Sequence, residues 1–281
     1  SEKVAQNERT LFTFISNDEP HSMARFVNEH NIDMDWNIGA DLIYDYFNSL
    51  FKKEVQSYFF SPFAYIIGAL FLLVFSLSFI TGISDLSSNT FKFSFPNIFY
   101  NNFFYFIFMI PALTMRTFAE ERKGGTEVLL MSSPLSITKI VLAKFLGVAF
   151  VFLCMMLLSL FFPIVTALHG GVIWSNLLCG YIGFYFWGLV CIAVGIFMSA
   201  LTDNPIIAAV LGEAAMIVLI FVDNLASTAL FSNLPVVSTV LNWLSTEERF
   251  VMFSQGLFRL SDLIFYISMI VLFLAWTGIA I

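Results

Sequence analysis

Between Phe145 and Thr202 the chain contains no Asp, Glu, Lys or Arg residue. A helix needs about 20 consecutive apolar residues to cross a lipid bilayer, so this run is too long for a single crossing. The triplet His169-Gly170-Gly171 falls inside it, and its two glycines permit a tight turn. The run therefore predicts two membrane-spanning helices joined by a tight turn.

The composition of the whole chain agrees with a lipid environment. Hydrophobic residues make up 59% of it and charged residues 12%, with a mean hydropathy of +0.85, whereas a soluble domain carries about 25% charged residues. Nine acidic and only three basic residues fall within residues 1–48, and the remaining chain is nearly balanced. We therefore predict an acidic soluble N-terminal segment, 1–48, and an all-α membrane domain, 49–281. Nucleic-acid binding is not expected, because no basic patch with interleaved aromatic residues occurs.

Predominantly apolar segments of helix length predict six transmembrane helices, at about residues 63–82, 98–115, 139–168, 174–202, 206–222 and 263–281. Lys and Arg residues concentrate in the cytoplasmic loops of membrane proteins. With the N-terminus inside, three such residues are external, namely Lys92, Arg249 and Arg259, and seven are cytoplasmic, namely Lys52, Lys53, Arg116, Arg122, Lys123, Lys139 and Lys144. We therefore expect Arg116–Lys144 to be cytoplasmic, and Asp85–Asn97 and Asp223–Asp262 to be external.

The segment from Leu50 to Ser61 has the pattern of a helix that lies flat at the membrane surface. Apolar residues recur on one helical face and polar residues on the other. The apolar face holds Phe51, Val55, Tyr58 and Phe59, and the polar face holds Lys52, Lys53, Gln56 and Ser57. Such a helix is typical of the headgroup region, and Ser61-Pro62 would end it and start the first span.

The densest charge cluster of the membrane domain lies between the second and third predicted spans. Its residues of interest are Glu120, Glu121, Arg122, Gly125, Thr126, Glu127 and Leu129. Gly125 and the glycine before it permit a sharp turn, and Thr126 is suited to cap a short helix that starts at Glu127. Spacing alone leaves two interpretations: a segment that docks into a groove of another protein, or an ordinary positive-inside connector.

Glu213 interrupts the fifth predicted span. A carboxylate within the bilayer costs a few kcal/mol, about 3 on insertion scales, so it would either line a translocation path or be protonated or hydrogen-bonded at a helix contact. Small residues at Ala64/Gly68 and Gly195/Ser199 are spaced to let helices approach closely. These pairs of small residues could serve packing within the chain or a dimer face.

No group of residues in the sequence indicates catalysis, metal binding or nucleotide binding. Cys154, Cys179 and Cys191 lie in apolar runs without a Cys/His ligand spacing. The three histidines are scattered, and no Gly-rich phosphate-binding loop is present. A membrane-embedded enzyme is therefore not supported.

The order of these elements resembles the permease subunit of type-2 ABC transporters, and particularly the permeases associated with gliding motility, nitrous-oxide reductase maturation and sodium export. The resemblance is carried by the segments Phe51–Pro62, Arg116–Arg122, Gly125–Leu130, Ser133-Pro134, Lys139–Lys144 and Phe250–Tyr266. It covers roughly residues 49–281, and Glu120–Leu130 is its most specific part. Residues 1–48 depart from the family pattern.

The resemblance implies an exporter of the bacterial cytoplasmic membrane that pairs two permease subunits, identical or different, with two cytoplasmic ABC ATPases. Glu120–Leu130 would be the coupling helix that sits on the ATPase. ATP would be bound and hydrolysed by that partner, so this chain would need no cofactor and would not itself be an enzyme. Two alternatives remain: a membrane anchor for the ATPase without transport, and a stand-alone channel or ion-coupled carrier.

Overall fold

The computed structural model describes residues 36–87, 95–127, 135–169, 173–222 and 245–281, and within these ranges every regular element is a helix. The helices, in chain order, are α1 Trp36–Phe60, α2 Pro62–Ser87, α3 Phe95–Phe103, α4 Phe106–Thr114, α5 Ala119–Lys123, α6 Ile137–Ser159, α7 Phe161–His169, α8 Trp174–Ala200, α9 Pro205–Ile220, α10 Glu247–Ser254 and α11 Leu260–Ala280.

Four segments of the described chain are long and apolar enough to cross a membrane: Pro62–Gly82, Ile137–Leu168, Trp174–Ala200 and Leu260–Ala280. They correspond to the first, third, fourth and sixth predicted spans, so the chain is an all-helical, multi-pass membrane protein. The second and fifth predicted spans are not among the four. The fifth, α9, has 16 residues, which is about 24 Å of helix against a hydrocarbon core of about 30 Å.

The predicted second span, 98–115, is divided into α3 and α4. The Asn102 side chain donates to the Ile98 carbonyl at 2.7 Å, and the Tyr105 N–H bonds the Asn102 carbonyl three residues back at 3.2 Å. Both bonds compete with regular helical pairing at this point. Pro111 further removes one backbone donor inside α4. The sequence pattern gave the correct location of an apolar segment and missed its break.

The first helix is longer than the predicted surface helix. It begins at Trp36 instead of Leu50 and ends at Phe60, so it crosses the predicted domain boundary at residue 48. The structure does not test the predicted division into two domains. No proline occurs between Trp36 and Ser61. The predicted break is confirmed there: the Ser61 hydroxyl accepts the Phe63 N–H at 3.3 Å, so Ser61 caps α2, and Pro62 occupies its first turn.

The most deeply buried helix is α8, against which most other described helices pack. The Phe103 ring stacks on Trp187 of α8 with 4.7 Å between ring centroids, and on Phe250 with 4.9 Å. Phe99 lies 5.6 Å from Phe184, also on α8. Such contacts stabilise the packing of helices through aromatic stacking as well as area burial. Many of the phenylalanines therefore serve as core residues.

Candidate functional site

A network of buried and half-buried polar groups joins six helices at one end of the helical bundle. We call it the junction and define it by Glu54, Tyr58, Thr117, Glu121, Arg122, Lys144 and Ser199. It lies where α1 crosses the end of α4, where α5 follows, and where α8 and α11 end. Lys144 belongs to the second turn of α6.

Lys144 is the centre of the junction, with a side chain only 1% exposed. Its Nζ lies 2.8 Å from Oε1 of Glu54 and 2.9 Å from Oε1 of Glu121. A third contact, at 2.9 Å, is the bond that Nζ donates to the Thr117 carbonyl. The three donors of the ammonium thus meet three acceptors. A buried cation is tolerated in a protein interior only when it is paired and hydrogen-bonded in this way.

The charges that meet at Lys144 do not balance one another. One buried ammonium meets two carboxylates, and Oε2 of Glu121 is buried without a hydrogen-bond partner among the described residues. A second cation, Lys53, lies 3.9 Å from Oε1 of Glu121, but its side chain is 68% exposed. An exposed pair of this kind contributes little, typically about 0–1 kcal/mol. Lys144 therefore carries most of the electrostatic stabilisation of both carboxylates.

The end of α4 is capped by side chains from other helices. The Tyr58 hydroxyl donates to the Leu113 carbonyl at 3.1 Å. The Ser199 hydroxyl donates to the Met115 carbonyl and accepts the N–H groups of Phe118 and Ala119, all at 3.1 Å. These bonds satisfy backbone groups that a helix end leaves unpaired. Burial raises the pKa of Tyr58 above its ordinary value, so its hydroxyl remains a donor at physiological pH.

Gly195 explains why Ser199 can reach this turn. A Cβ atom at Gly195 would collide with the side chain of Thr114, so only glycine allows α8 to approach α4 this closely. The predicted close approach at Gly195/Ser199 is confirmed, and it occurs within the chain. A dimer face at that pair is wrong because the pair is buried against α4. At Gly68, a Cβ atom would lie at an ordinary 3.6 Å from Cε of Met155.

Arg122 holds the charged segment, residues 119–127, to the ends of two long helices. Its guanidinium donates to the carbonyl of Ala200 at the end of α8. It also donates to the carbonyl of Ala280 at the end of α11, at 3.3 Å. The same group pairs with Glu127 at 3.0 Å. A cation at helix C-termini satisfies unpaired carbonyls and complements the helix dipoles.

The predicted docking residues divide into two groups. Glu121 and Arg122 are turned inward, with side chains 17% and 19% exposed, and Glu127 is held by Arg122. Glu120, Gly125 and Thr126 are exposed. The predicted turn is confirmed by a φ of 69° at Gly125, a conformation that favours glycine.

The predicted helix beyond Glu127 falls on residues 128–134, so Leu129 and the apolar residues around it lie outside the described residues. Thr126 is predicted to cap that helix. In the described part, its hydroxyl donates to the Glu121 carbonyl at 3.3 Å and so closes the end of α5.

Among the predicted surface-helix residues, Lys52 and Lys53 are exposed. The Phe51 ring lies 6.2 Å from the Phe150 ring of α6 in an edge-on arrangement, and Tyr58 belongs to the junction. This face also contains Glu54, which sequence reasoning did not select. Its spacing from Phe51 and Tyr58, by three and four residues, places it on the apolar face, and that position was the available signal.

Glu213, the predicted pathway residue, is half-buried in the middle of α9. It forms no hydrogen bond or ion pair with any described residue. Next to it, Gly212 packs against Pro111, and a Cβ there would lie 3.0 Å from Cβ of Pro111. Gly212 thus lets α9 approach α4 closely next to Glu213.

A second polar cluster lies at the opposite end of α8 and α11, and we call residues 245–262 the hairpin. Gly256, with a φ of 82°, turns the chain between α10 and α11. Arg249 pairs with Asp262 at 2.9 Å and lies over the Phe265 ring at 4.1 Å. The Tyr266 hydroxyl donates to the Thr246 carbonyl at 3.2 Å. These contacts hold α10 against the start of α11.

Comparison with known proteins yields one family. The model described as ABC-2 family transporter protein matches residues 85–281. A search of curated proteins finds no match. The matched region contains the end of α4, the charged segment and all three partners of Arg122, but it begins after Glu54 and Tyr58.

Proposed function

The chain belongs to the ABC-2 family of transporter proteins, and from this premise we propose that it is the permease subunit of an ATP-driven exporter of the bacterial cytoplasmic membrane. In this proposal it forms the translocation path with a second permease subunit, and a separate cytoplasmic ABC ATPase binds and hydrolyses ATP. The observation that carries the proposal is the junction, which fixes a short charged segment rigidly to the helix ends.

The docking surface of the proposed permease consists of Glu120, Gly125, Thr126 and Leu129. The first three are exposed on the described side of the segment, and the Glu120 side chain is 60% exposed. Glu121 and Arg122 have a different role in the proposal: they orient the surface from behind. A surface that is to receive force from a partner has to be fixed to the helices that move, and Arg122 provides that fixation through two helix ends.

The topology of the proposed permease has six spans and places the junction on the cytoplasmic side. Under this topology α3 and α4 together form the second span, with a break at Phe104-Tyr105, and α9 forms a short fifth span. The hairpin then lies on the external side. The excess of Lys and Arg residues around the junction supports this orientation, as does the separation of the two ends by the length of α8.

Glu213 is the proposed lining group of the translocation path. It is half-buried within α9 and has no protein partner in the described part of the chain. A carboxylate at such a place is stabilised by water or by a passing substrate more readily than by lipid.

The test of the proposal is Leu129→Asp, which places a carboxylate in the docking surface. A charge that becomes buried and unpaired at an interface costs several kcal/mol, about 3–5, so we expect loss of co-purification with the ABC ATPase subunit. Insertion into the membrane should be unaffected, since the residue lies outside every span. Leu257→Asp is the matched control, because Leu257 is 50% exposed at the opposite end of the bundle.

Two results would separate the alternatives. If Leu129→Asp and Glu120→Lys both bind the ATPase as the unaltered protein does, the segment is only a connector and the proposal fails. If the ATPase binds through this surface but no transport accompanies hydrolysis in reconstituted vesicles, the chain is an anchor.

A further inference from the structure

We propose that Lys144 is a positioning residue that fastens the surface helix α1 to the charged segment, residues 119–127, which we call the coupling segment. The two would then move as one body when the ATPase moves. The inference rests on the proposed function and adds to it a route by which motion reaches the membrane surface. It assigns the role to a residue that touches neither the ATPase nor any substrate.

The first argument is that Lys144 connects two elements that otherwise have little contact. Glu54 belongs to α1 and Glu121 to α5, and each carboxylate reaches the same Nζ within 2.9 Å. The direct ion pair between α1 and α5 among the described residues, Lys53 with Glu121, is long at 3.9 Å and exposed. The connection between the two elements therefore passes through the ammonium of Lys144.

The second argument is that the chain is shaped to bring Glu54 to Lys144. Gly147 lies one helical turn after Lys144, on the same face of α6. A Cβ atom at Gly147 would be 2.9 Å from Cβ of Glu54, so a larger residue would push α1 away from α6. Glycine at this position permits the approach that places the carboxylate 2.8 Å from the ammonium.

The third argument is that the connection is all-or-none. Because Lys144 is 1% exposed, water cannot replace a departing carboxylate unless the interior itself opens to water. Opening the contact would leave buried, unpaired charge, which is strongly unfavourable. The elements are therefore expected to stay together through any movement that leaves the interior dry, in contrast to an exposed pair that opens readily.

The consequence is that α1 can transmit movement from the coupling segment to the membrane surface. The α1 helix is followed by a one-residue break at Ser61 and then by α2. Its last residues, Phe59 and Phe60, are 43% and 84% exposed, as expected for side chains that enter lipid. A displacement of the coupling segment would thus move α1 within the headgroup layer and pull on the start of the first span.

The experiment measures the distance between α1 and α5 in the complex of the full chain with its ATPase. Genetically encoded spin labels at Gln56 and Lys123 leave the three native cysteines in place. Both positions are exposed, and neither belongs to the docking surface. Distances are recorded by double electron–electron resonance without nucleotide and with ATP plus vanadate. For the unaltered network we expect one narrow distribution that is the same in both states.

The decisive variant neutralises the network without leaving a buried charge: Glu54→Gln, Lys144→Met and Glu121→Gln combined. Distances are read from the variant bound to the ATPase, and we expect the Gln56–Lys123 distribution to broaden and to shift between the two nucleotide states. Gly147→Ala, which keeps every charge and displaces Glu54, should broaden the distribution as well. The control, Arg249→Met with Asp262→Asn in the hairpin, should leave it narrow.

The outcomes distinguish the inference from the function on which it rests. If the unaltered chain does not bind the ATPase, the proposed function fails. If the ATPase binds and the neutralised variant keeps the same narrow distribution in both states, Lys144 does not fasten α1 to α5 and the inference is overturned. A neutralised variant that does not fold transfers the decision to Gly147→Ala, for which an unchanged distribution has the same meaning.

Discussion

The junction and the hairpin lie at opposite ends of the same two helices, α8 and α11, and they hold their charges differently. In the junction, Lys144 is 1% exposed and meets carboxylates from two other elements. In the hairpin, Arg249 is 19% exposed and pairs with Asp262, which is 13 residues away in the chain. The junction shares one cation between distant helices, whereas the Arg249–Asp262 pair closes a single turn, which a hydrogen bond from Tyr100 to Glu247 holds to α3.

The difference indicates what each end can do. A buried charge that is shared between distant elements fixes their relative positions, because each element would lose the same partner if it moved. A pair between neighbouring parts of the chain, such as Arg249 with Asp262, holds the shape of one loop and leaves the remaining helices free to shift. The junction is therefore suited to transmit movement, and the hairpin is suited to keep its own fold while the helices below it rearrange.

The largest expected effect in this comparison comes from Lys144→Met, which removes the shared cation. Glu54 and Glu121 would be left buried without their counter-charge, and breaking a buried pair costs about 3–5 kcal/mol. We expect a correspondingly large loss in the free energy of unfolding, measured by SDS titration of the protein purified in detergent. Lys53→Met should cost less than about 1 kcal/mol because that pair is exposed and screened.

Neutralising the carboxylates together with the lysine tests the cause of that loss. With glutamine at positions 54 and 121, no buried charge remains, and replacement of a buried ionic network by neutral residues of similar volume is often nearly without cost. The triple variant should therefore be far more stable than Lys144→Met. Equal instability of the two would show that the shape of Lys144, and not its charge, holds the junction.

A smaller and more local effect is expected for Arg249→Met in the hairpin. One carboxylate, Asp262, loses this partner, whereas Lys144→Met deprives two, so we expect a cost at the lower end of the range for a broken buried pair, about 3 kcal/mol. Hydrogen exchange should rise within residues 245–262 and stay unchanged in α1 and α5. Loss of protection in those two distant helices would contradict the division between a local and a shared network.

How much of this was predictable depends on the range of the interaction. The four long spans follow from hydropathy alone, because lipid demands an uninterrupted apolar helix. The turn at Gly125 and the start of α2 at Ser61-Pro62 follow from local backbone preferences. Each of these features is specified by neighbouring residues, so a single sequence contains the information.

The junction was not predictable in the same way. Lys144 was counted as one more positive-inside residue, and Glu121 and Arg122 were assigned to an exposed surface, since a charge in a loop normally faces water. Their partners lie far away in sequence: 90 residues separate Glu54 from Lys144, and 158 separate Arg122 from Ala280. The pairs Ala64/Gly68 and Gly195/Ser199 likewise look equivalent in sequence, and only the approach of Thr114 distinguishes them.

The smallest expected effect concerns a neutral member of the junction, and it sharpens the comparison because no charge is removed. Tyr58→Phe deletes the hydrogen bond to the Leu113 carbonyl, 3.1 Å long, and we expect a cost of about 0.5–1.5 kcal/mol.

The pH dependence of that cost follows from the raised pKa of Tyr58, which burial causes. A group whose pKa is higher in the folded state stabilises the protein fully below its unfolded pKa, which for tyrosine is about 10. The stability difference between the unaltered protein and Tyr58→Phe should therefore be constant between about pH 6 and 9. Above about pH 10 the unfolded tyrosine ionises while the folded one does not, so the unaltered protein loses stability that the phenylalanine variant keeps. The difference should then shrink. The remaining tyrosines titrate in both proteins and cancel.

A difference that already changes between pH 6 and 9 would mean that Tyr58 acts through the neighbouring carboxylates. The contribution of the neutral hydrogen bond could then not be separated from that of the charged network.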